Sequence, residues 1–193
     1  SGAIAIMYFI TYAAYSFYSL FPQLAAFSLM VLFTIMTIAA ALNYNRQVIA
    51  HIGLVGAYAV PFLLSENSGN VTVLYTYMAI INIGVLIISV KKYWKPLYYS
   101  SFILTWIIFS FWYITDFQAD THSAIFWVFA FLFFMTFYLI FISYKLLHQE
   151  KFQASDVLLI LSNSFIFYGL GYSVLVNGPG GEQLLGLFTL GNA

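Results

Sequence analysis

Runs of 19 or more residues without a single Asp, Glu, Lys or Arg follow one another along this chain. An α-helix needs about 20 apolar residues to cross about 30 Å of hydrocarbon, so each run is long enough to be a membrane span. A soluble domain is about 25% charged because its surface must meet water. Here the share is 6%, with 63% hydrophobic residues. Twelve charges, six of each sign, cannot coat a soluble globule of 193 residues. The same arithmetic excludes disorder and collagen-like repeats, and a net charge of zero gives nucleic acid no basic field to bind. Strands of a membrane barrel alternate apolar and polar over about 10 residues, whereas here apolarity continues over twice that length. The expected fold is therefore an all-α, polytopic transmembrane helical bundle.

Turn residues and hydropathy place seven full spans, at 3–21, 24–42, 48–64, 71–90, 97–115, 123–144 and 157–176, and a partial eighth at 183–193. The connections between them are short, so consecutive helices should pack as antiparallel hairpins in a single transmembrane domain. The amino-terminal span has no basic stretch before it and reads as retained rather than cleaved. The last apolar run covers only about 15 Å at 1.5 Å per residue, which suits a half-helix or a chain cut from a longer one. Positions around Gly56 to Asn82 and Gly171 to Asn192 share an outline of helix end, Gly-Asn turn and helix with an inner Asn. Their separation of four spans suggests a duplicated four-helix unit whose second copy is incomplete.

Charge gives an orientation. The cations Arg46, Lys91, Lys92, Lys95, Lys145 and Lys151 all lie in alternate connections, while Glu66, Asp116, Asp120 and Glu182 lie in the opposite set. By the positive-inside rule the cationic connections and the amino terminus of this multi-pass chain face the cytoplasm. Tyr93, Trp94, Tyr98 and Tyr99 then form an interfacial aromatic belt beside lysines that can snorkel.

No ionisable residue falls mid-span, which argues against a proton-coupled pump. The buried polarity is mostly amide and hydroxyl. Asn82 sits mid-way in the fourth span and Asn163, flanked by Ser162 and Ser164, in the seventh, where lipid offers an amide no partner. Together with His51, a turn inside the third span, and Tyr168, they are the candidates for a polar cavity; bonding between helices is the commoner use of such groups. Gly53, Gly56, Gly84, Gly169 and Gly171 would let helices approach closely, and Pro61 removes a backbone donor and should kink the third span. Asp116, Asp120 and His122 around one extracytoplasmic turn could hold a cation or serve acid–base chemistry, although solvated turns and helix caps use the same types. Asp156 reads as the N-cap of the seventh helix, and Glu182 suits the start of the eighth. Cysteine is absent, the three histidines have no ligand spacing, and no nucleotide or hydrolase motif occurs, so no metal and no cofactor is assigned.

The run Ile52-Gly-Leu-Val-Gly-Ala-Tyr-Ala-Val-Pro-Phe-Leu-Leu-Ser65, the Glu66-Asn-Ser-Gly-Asn70 turn and Leu74-Tyr-Thr-Tyr-Met-Ala-Ile-Ile-Asn-Ile-Gly84, followed by a basic Trp-containing connection, resemble the bacterial membrane-protein family DUF2339. The hairpin at 3–42 and the closing Leu184-Leu-Gly-Leu-Phe-Thr-Leu190 are also similar to it. Members are longer, with many helices and often a soluble amino-terminal coiled region, so the resemblance implies that this chain is a fragment of a longer member. It supplies topology and no catalytic residues; Gly53, Gly56, Pro61, Asn82 and Gly84 match its pattern as structural positions. The expected function is that of a non-enzymatic inner-membrane protein with a polar cleft between the third, fourth and seventh spans, serving envelope transport or acting as a scaffold. The alternative is a membrane enzyme that acts on a lipid-linked substrate through Asp116, Asp120 and His122. The expected partners are membrane lipids and either the remaining helices of a longer chain or a second copy.

Overall fold

Backbone turn chemistry sets where the helices stop. In the computed structural model, which describes every residue except Ser1, Phe21, 64–70, 178–180 and Ala193, the described residues form α1 (Gly2–Ser16), α2 (Gln23–Asn43), α3 (Gln47–Leu63), α4 (Val71–Lys91), α5 (Lys95–Thr115), α6 (Ala119–Leu147), α7 (Ala154–Asn177) and α8 (Gly181–Asn192). No strand occurs among the described residues. Past the end of α2 the chain turns left-handed at Asn45, φ 51°, and the Arg46 N–H returns to the Ala41 carbonyl at 3.1 Å. Past α6 the same device recurs at Gln149, φ 51°, with the Glu150 N–H on the Lys145 carbonyl at 3.0 Å. Both satisfy a terminal carbonyl that would otherwise be left open. At the start of α7, Asp156 lies inside the first turn and accepts the Gln153 N–H at 2.9 Å, so it acts from the third helical position back onto the cap.

Two helices depart from the expected spans. α1 stops at Ser16 rather than 21, because the chain leaves helical geometry at Ser19, φ 48°, three residues before Pro22, which cannot continue a helix. α6 runs 29 residues, about 43 Å at 1.5 Å per residue, and takes in Asp120 and His122 at one end and Lys145 at the other. Its ends therefore reach past a hydrocarbon layer of about 30 Å. Among the described residues five helices are long and apolar enough to cross a membrane: α2, α4, α5, α6 and α7. α3, of 17 residues, and α1, of 15, are shorter, and α8 has 12. α3 runs through Pro61 and ends two residues later.

The chain divides into two compact units, Ser1–Ser101 and Phe102–Ala193, with the boundary inside α5. In the first, α2 packs against α1, α3 and α4. Glycine makes that approach close. A Cβ built on Gly53 would fall 2.2 Å from Thr37 Cγ2, one on Gly84 would fall 2.5 Å from Ile38 Cδ1, and one on Gly56 would meet the Tyr8 ring at 3.3 Å. Hydroxyls join the same helices: Tyr8 and Thr34 share a 2.6 Å bond, and Thr34 also donates to the Met30 carbonyl at 2.9 Å.

In the second unit α7 packs against α6 and α8, and rings fill the space between α5 and α6. Phe102 meets Phe137 and Phe141 at 5.4 and 5.5 Å, and Phe109 meets Phe126 and Phe133 at 5.4 and 5.8 Å. These pairs run antiparallel along the two helices, and several are edge-on, the arrangement that aligns ring edge with ring face. α8 rests on α7 through Phe188, which stacks on Tyr168 with 4° between the ring planes and lies over Gly171.

Candidate functional site

Neutral amides inside membrane-spanning helices are the groups most in need of a partner, since hydrocarbon supplies none. Asn82 on α4 is fully buried, and its Oδ1 accepts the Tyr58 hydroxyl of α3 at 2.7 Å. The same hydroxyl lies 3.3 Å from the Ser101 carbonyl of α5, so three helices of the first unit meet at Tyr58. Asn163 on α7 is also fully buried and uses both ends of its amide. Its Oδ1 accepts the Trp106 indole N–H of α5 at 3.1 Å, and its Nδ2 donates to the Phe134 carbonyl of α6 at 2.9 Å. Each amide is thus engaged within its own unit.

The other two candidates for a polar cavity bond to other groups. Nδ1 of His51 donates to the Gln47 carbonyl one turn back along α3, at 3.1 Å. The Tyr168 hydroxyl lies 3.3 Å from Thr189 Oγ1 and ties α7 to α8. A cavity of about 20 Å³ lies in the first unit, lined by Thr34, Thr37, Gly53, Ile81, Val85 and Leu97 among others. That volume holds about one water molecule. Of the glycines, Gly53, Gly56, Gly84 and Gly171 each face a neighbouring side chain, whereas Gly169 has nothing within 4 Å of its Cβ position.

Around the α5–α6 turn, Asp116 and Asp120 are exposed and His122 is half-buried. Asp116 accepts the neighbouring Thr115 hydroxyl at 2.7 Å, and Asp120 lies in the first turn of α6. His122 Nδ1 accepts the Gln118 N–H at 3.2 Å while its ring rests 5.5 Å from Trp112. An Nδ1 that accepts leaves the proton of the neutral ring on Nε2. These bonds are local ones, the first at the end of α5 and the second at the start of α6. No group of three or more His, Asp or Glu residues is clustered for a metal among the described residues.

One polar cluster has no counterpart in the sequence expectations. Lys145, in the last turn of α6, is only 3% exposed, with its Nζ 3.0 Å from Glu150 Oε2 and 3.8 Å from Asp156 Oδ2. The ammonium lies at a helix C-terminus and the Asp156 carboxylate at a helix N-terminus, so both dipoles favour the pair. The signal for it is the spacing: one cation flanks the α6–α7 connection on the helix side, and two carboxylates follow within 11 residues.

Among the described residues, eight helices, five of them long and apolar enough to cross a bilayer, with buried amides bonded from helix to helix, define a helical membrane protein. More narrowly, residues 1–184 match DUF2339, a family described as predicted membrane proteins, and the chain belongs to that family. No curated protein and no solved structure matches it.

Proposed function

We propose that this chain is a non-enzymatic scaffold element of a bacterial inner membrane, with seven crossings, a partial eighth helix and a cytoplasmic amino terminus. The observation that carries the scaffold reading over a transport one is the use of the two intramembrane amides. Both are spent on bonds between helices. The placement of all six cations at alternate connections supports the orientation. α1 and α3, about 22 and 25 Å long, can cross where the bilayer thins around them at modest cost. The shared left-handed turn after α2 and α6 and the common packing of α2 on α3 and α6 on α7 support a duplicated four-helix unit.

The test is complementation. In cells lacking the protein, Asn82→Leu and Asn163→Leu variants that still give a cooperative melt are expected to restore the envelope as fully as the wild type. A variant that melts normally yet fails to restore it would mean that the amides serve a solute, and the scaffold reading would be lost.

A further inference from the structure

Between α4 and α5 the chain reverses in three residues, Lys92, Tyr93 and Trp94, and both flanking helices are long enough to span a membrane. The turn is pinned from inside. Tyr98, only 2% exposed, donates its hydroxyl to the Lys92 carbonyl and accepts the Trp94 N–H at 3.1 Å. This fixes the backbone that carries Lys91, Lys92 and Lys95, three cations within five residues. Lys91 is exposed and Lys92 half-buried, and neither makes an ion pair with a described residue. The Lys95 ammonium sits 5.2 Å over the Tyr93 ring, which holds it beside the other two. No Asp or Glu occurs between Glu66 and Asp116, so no carboxylate of the connection or of its two helices offsets the charge of Lys91 and Lys92. The Lys145 ammonium shows the contrast, because it is buried against two carboxylates.

A rigid turn at the end of two spans lies at the boundary between hydrocarbon and headgroups, where tyrosine and tryptophan rings also settle. We infer that Lys91, Lys92 and Lys95 form a docking surface for the headgroup of an anionic phospholipid, with Tyr93 and Trp94 seated against its glycerol region. The ligand chemistry is a phosphate diester held at the membrane surface by two or three ammoniums. Each lysine near an anionic leaflet favours association by roughly fivefold. The inference is independent of whether the protein is a scaffold.

The test uses the full chain reconstituted in phosphatidylcholine bilayers, with spin-labelled phosphatidylglycerol or spin-labelled phosphatidylcholine as the probe. The fraction of probe immobilised at the protein surface gives the preference. Wild-type protein is expected to prefer phosphatidylglycerol by roughly fivefold or more. The Lys91→Gln, Lys92→Gln, Lys95→Gln triple variant should fall to near parity, the corresponding triple arginine variant should keep the preference, and Lys151→Gln should leave it unchanged. An unchanged preference in the glutamine variant overturns the proposal. So does a preference abolished by inorganic phosphate but not by chloride of equal ionic strength, since the site would then take free phosphate. If the triple variant does not fold, Lys91→Gln and Lys92→Gln are read singly; each should lower the preference about twofold or more, and no fall in either overturns the proposal as well.

Discussion

Around Thr37 the helices of the first unit touch almost backbone to side chain, whereas around Phe109 those of the second are held apart by rings. Gly53 leaves no space for a methyl group against Thr37, and Gly84 none against Ile38. Phe109, fully buried, contacts aromatic rings that include Trp106, Trp112, Phe126 and Phe133. Lipid tails are as apolar as leucine, so the hydrophobic effect does not draw spans together; dispersion and hydrogen bonds must do it. The two units obtain dispersion in opposite ways, one by bringing backbones close on small residues and the other by interposing large polarisable groups. The opposite change of side-chain volume should therefore damage each.

The largest effect is expected from Phe109→Ala. Truncating a fully buried phenylalanine leaves a cavity that the neighbouring rings fill only in part, at a cost of about 3–5 kcal/mol. Denaturant titration in mixed micelles, followed by tryptophan emission, would measure it. A loss below about 1 kcal/mol would mean that the ring stack is loosely packed and that the contrast between the units is mistaken. In the first unit the damaging change is an added methyl. Gly53→Ala should cost about 1–3 kcal/mol, because Thr37 is stiff at χ1 and its hydroxyl is held by the Phe33 carbonyl at 2.7 Å. Gly171→Ala in the second unit sharpens the comparison: its Cβ would meet the far edge of the Phe188 ring, which can swing aside, so its cost should be the smaller. Gly169→Ala, with nothing within 4 Å, should cost nothing or stabilise slightly.

Much of this was legible in the sequence because a membrane constrains so strongly. Charge-free runs gave helices with boundaries within a few residues for α2, α3, α4 and α5. The departures came where short-range turn geometry prevailed over hydropathy. Residues 17–20 are apolar enough to continue α1, yet Ser19 turns left-handed before Pro22. Asp120 and His122 look like loop residues by polarity but begin α6, since polar residues are also what a helix start needs. Asn82 and Asn163 were recognisable as groups that must find partners, but periodicity cannot say which. Tyr58 and Trp106, the donors they meet, look in sequence like any other aromatic of a span. The burial of Lys145 was hidden for a related reason: Glu150 and Asp156 lie across a connection whose course depends on the left-handed turn at Gln149.

The two amides also divide the units, and substitutions at them test that division. Asn163→Leu removes the acceptor of the buried Trp106 indole N–H, a donor that then has lost its partner in a span; the Phe134 carbonyl keeps its place in α6. The cost should be about 1–2 kcal/mol. Asn82→Leu leaves the Tyr58 hydroxyl with the Ser101 carbonyl still 3.3 Å away, so the proton can be redirected and the cost should stay below about 1 kcal/mol. A double-mutant cycle with Trp106→Phe separates the bond from the packing change: the Trp106–Asn163 pair should show a coupling of about 1 kcal/mol, and the Tyr58–Asn82 pair, with Tyr58→Phe, less. Equal couplings would mean that Tyr58 does not rebind to Ser101. A coupling near zero at Trp106 would mean that the second unit is held by its rings alone, with the amide serving only to fill space.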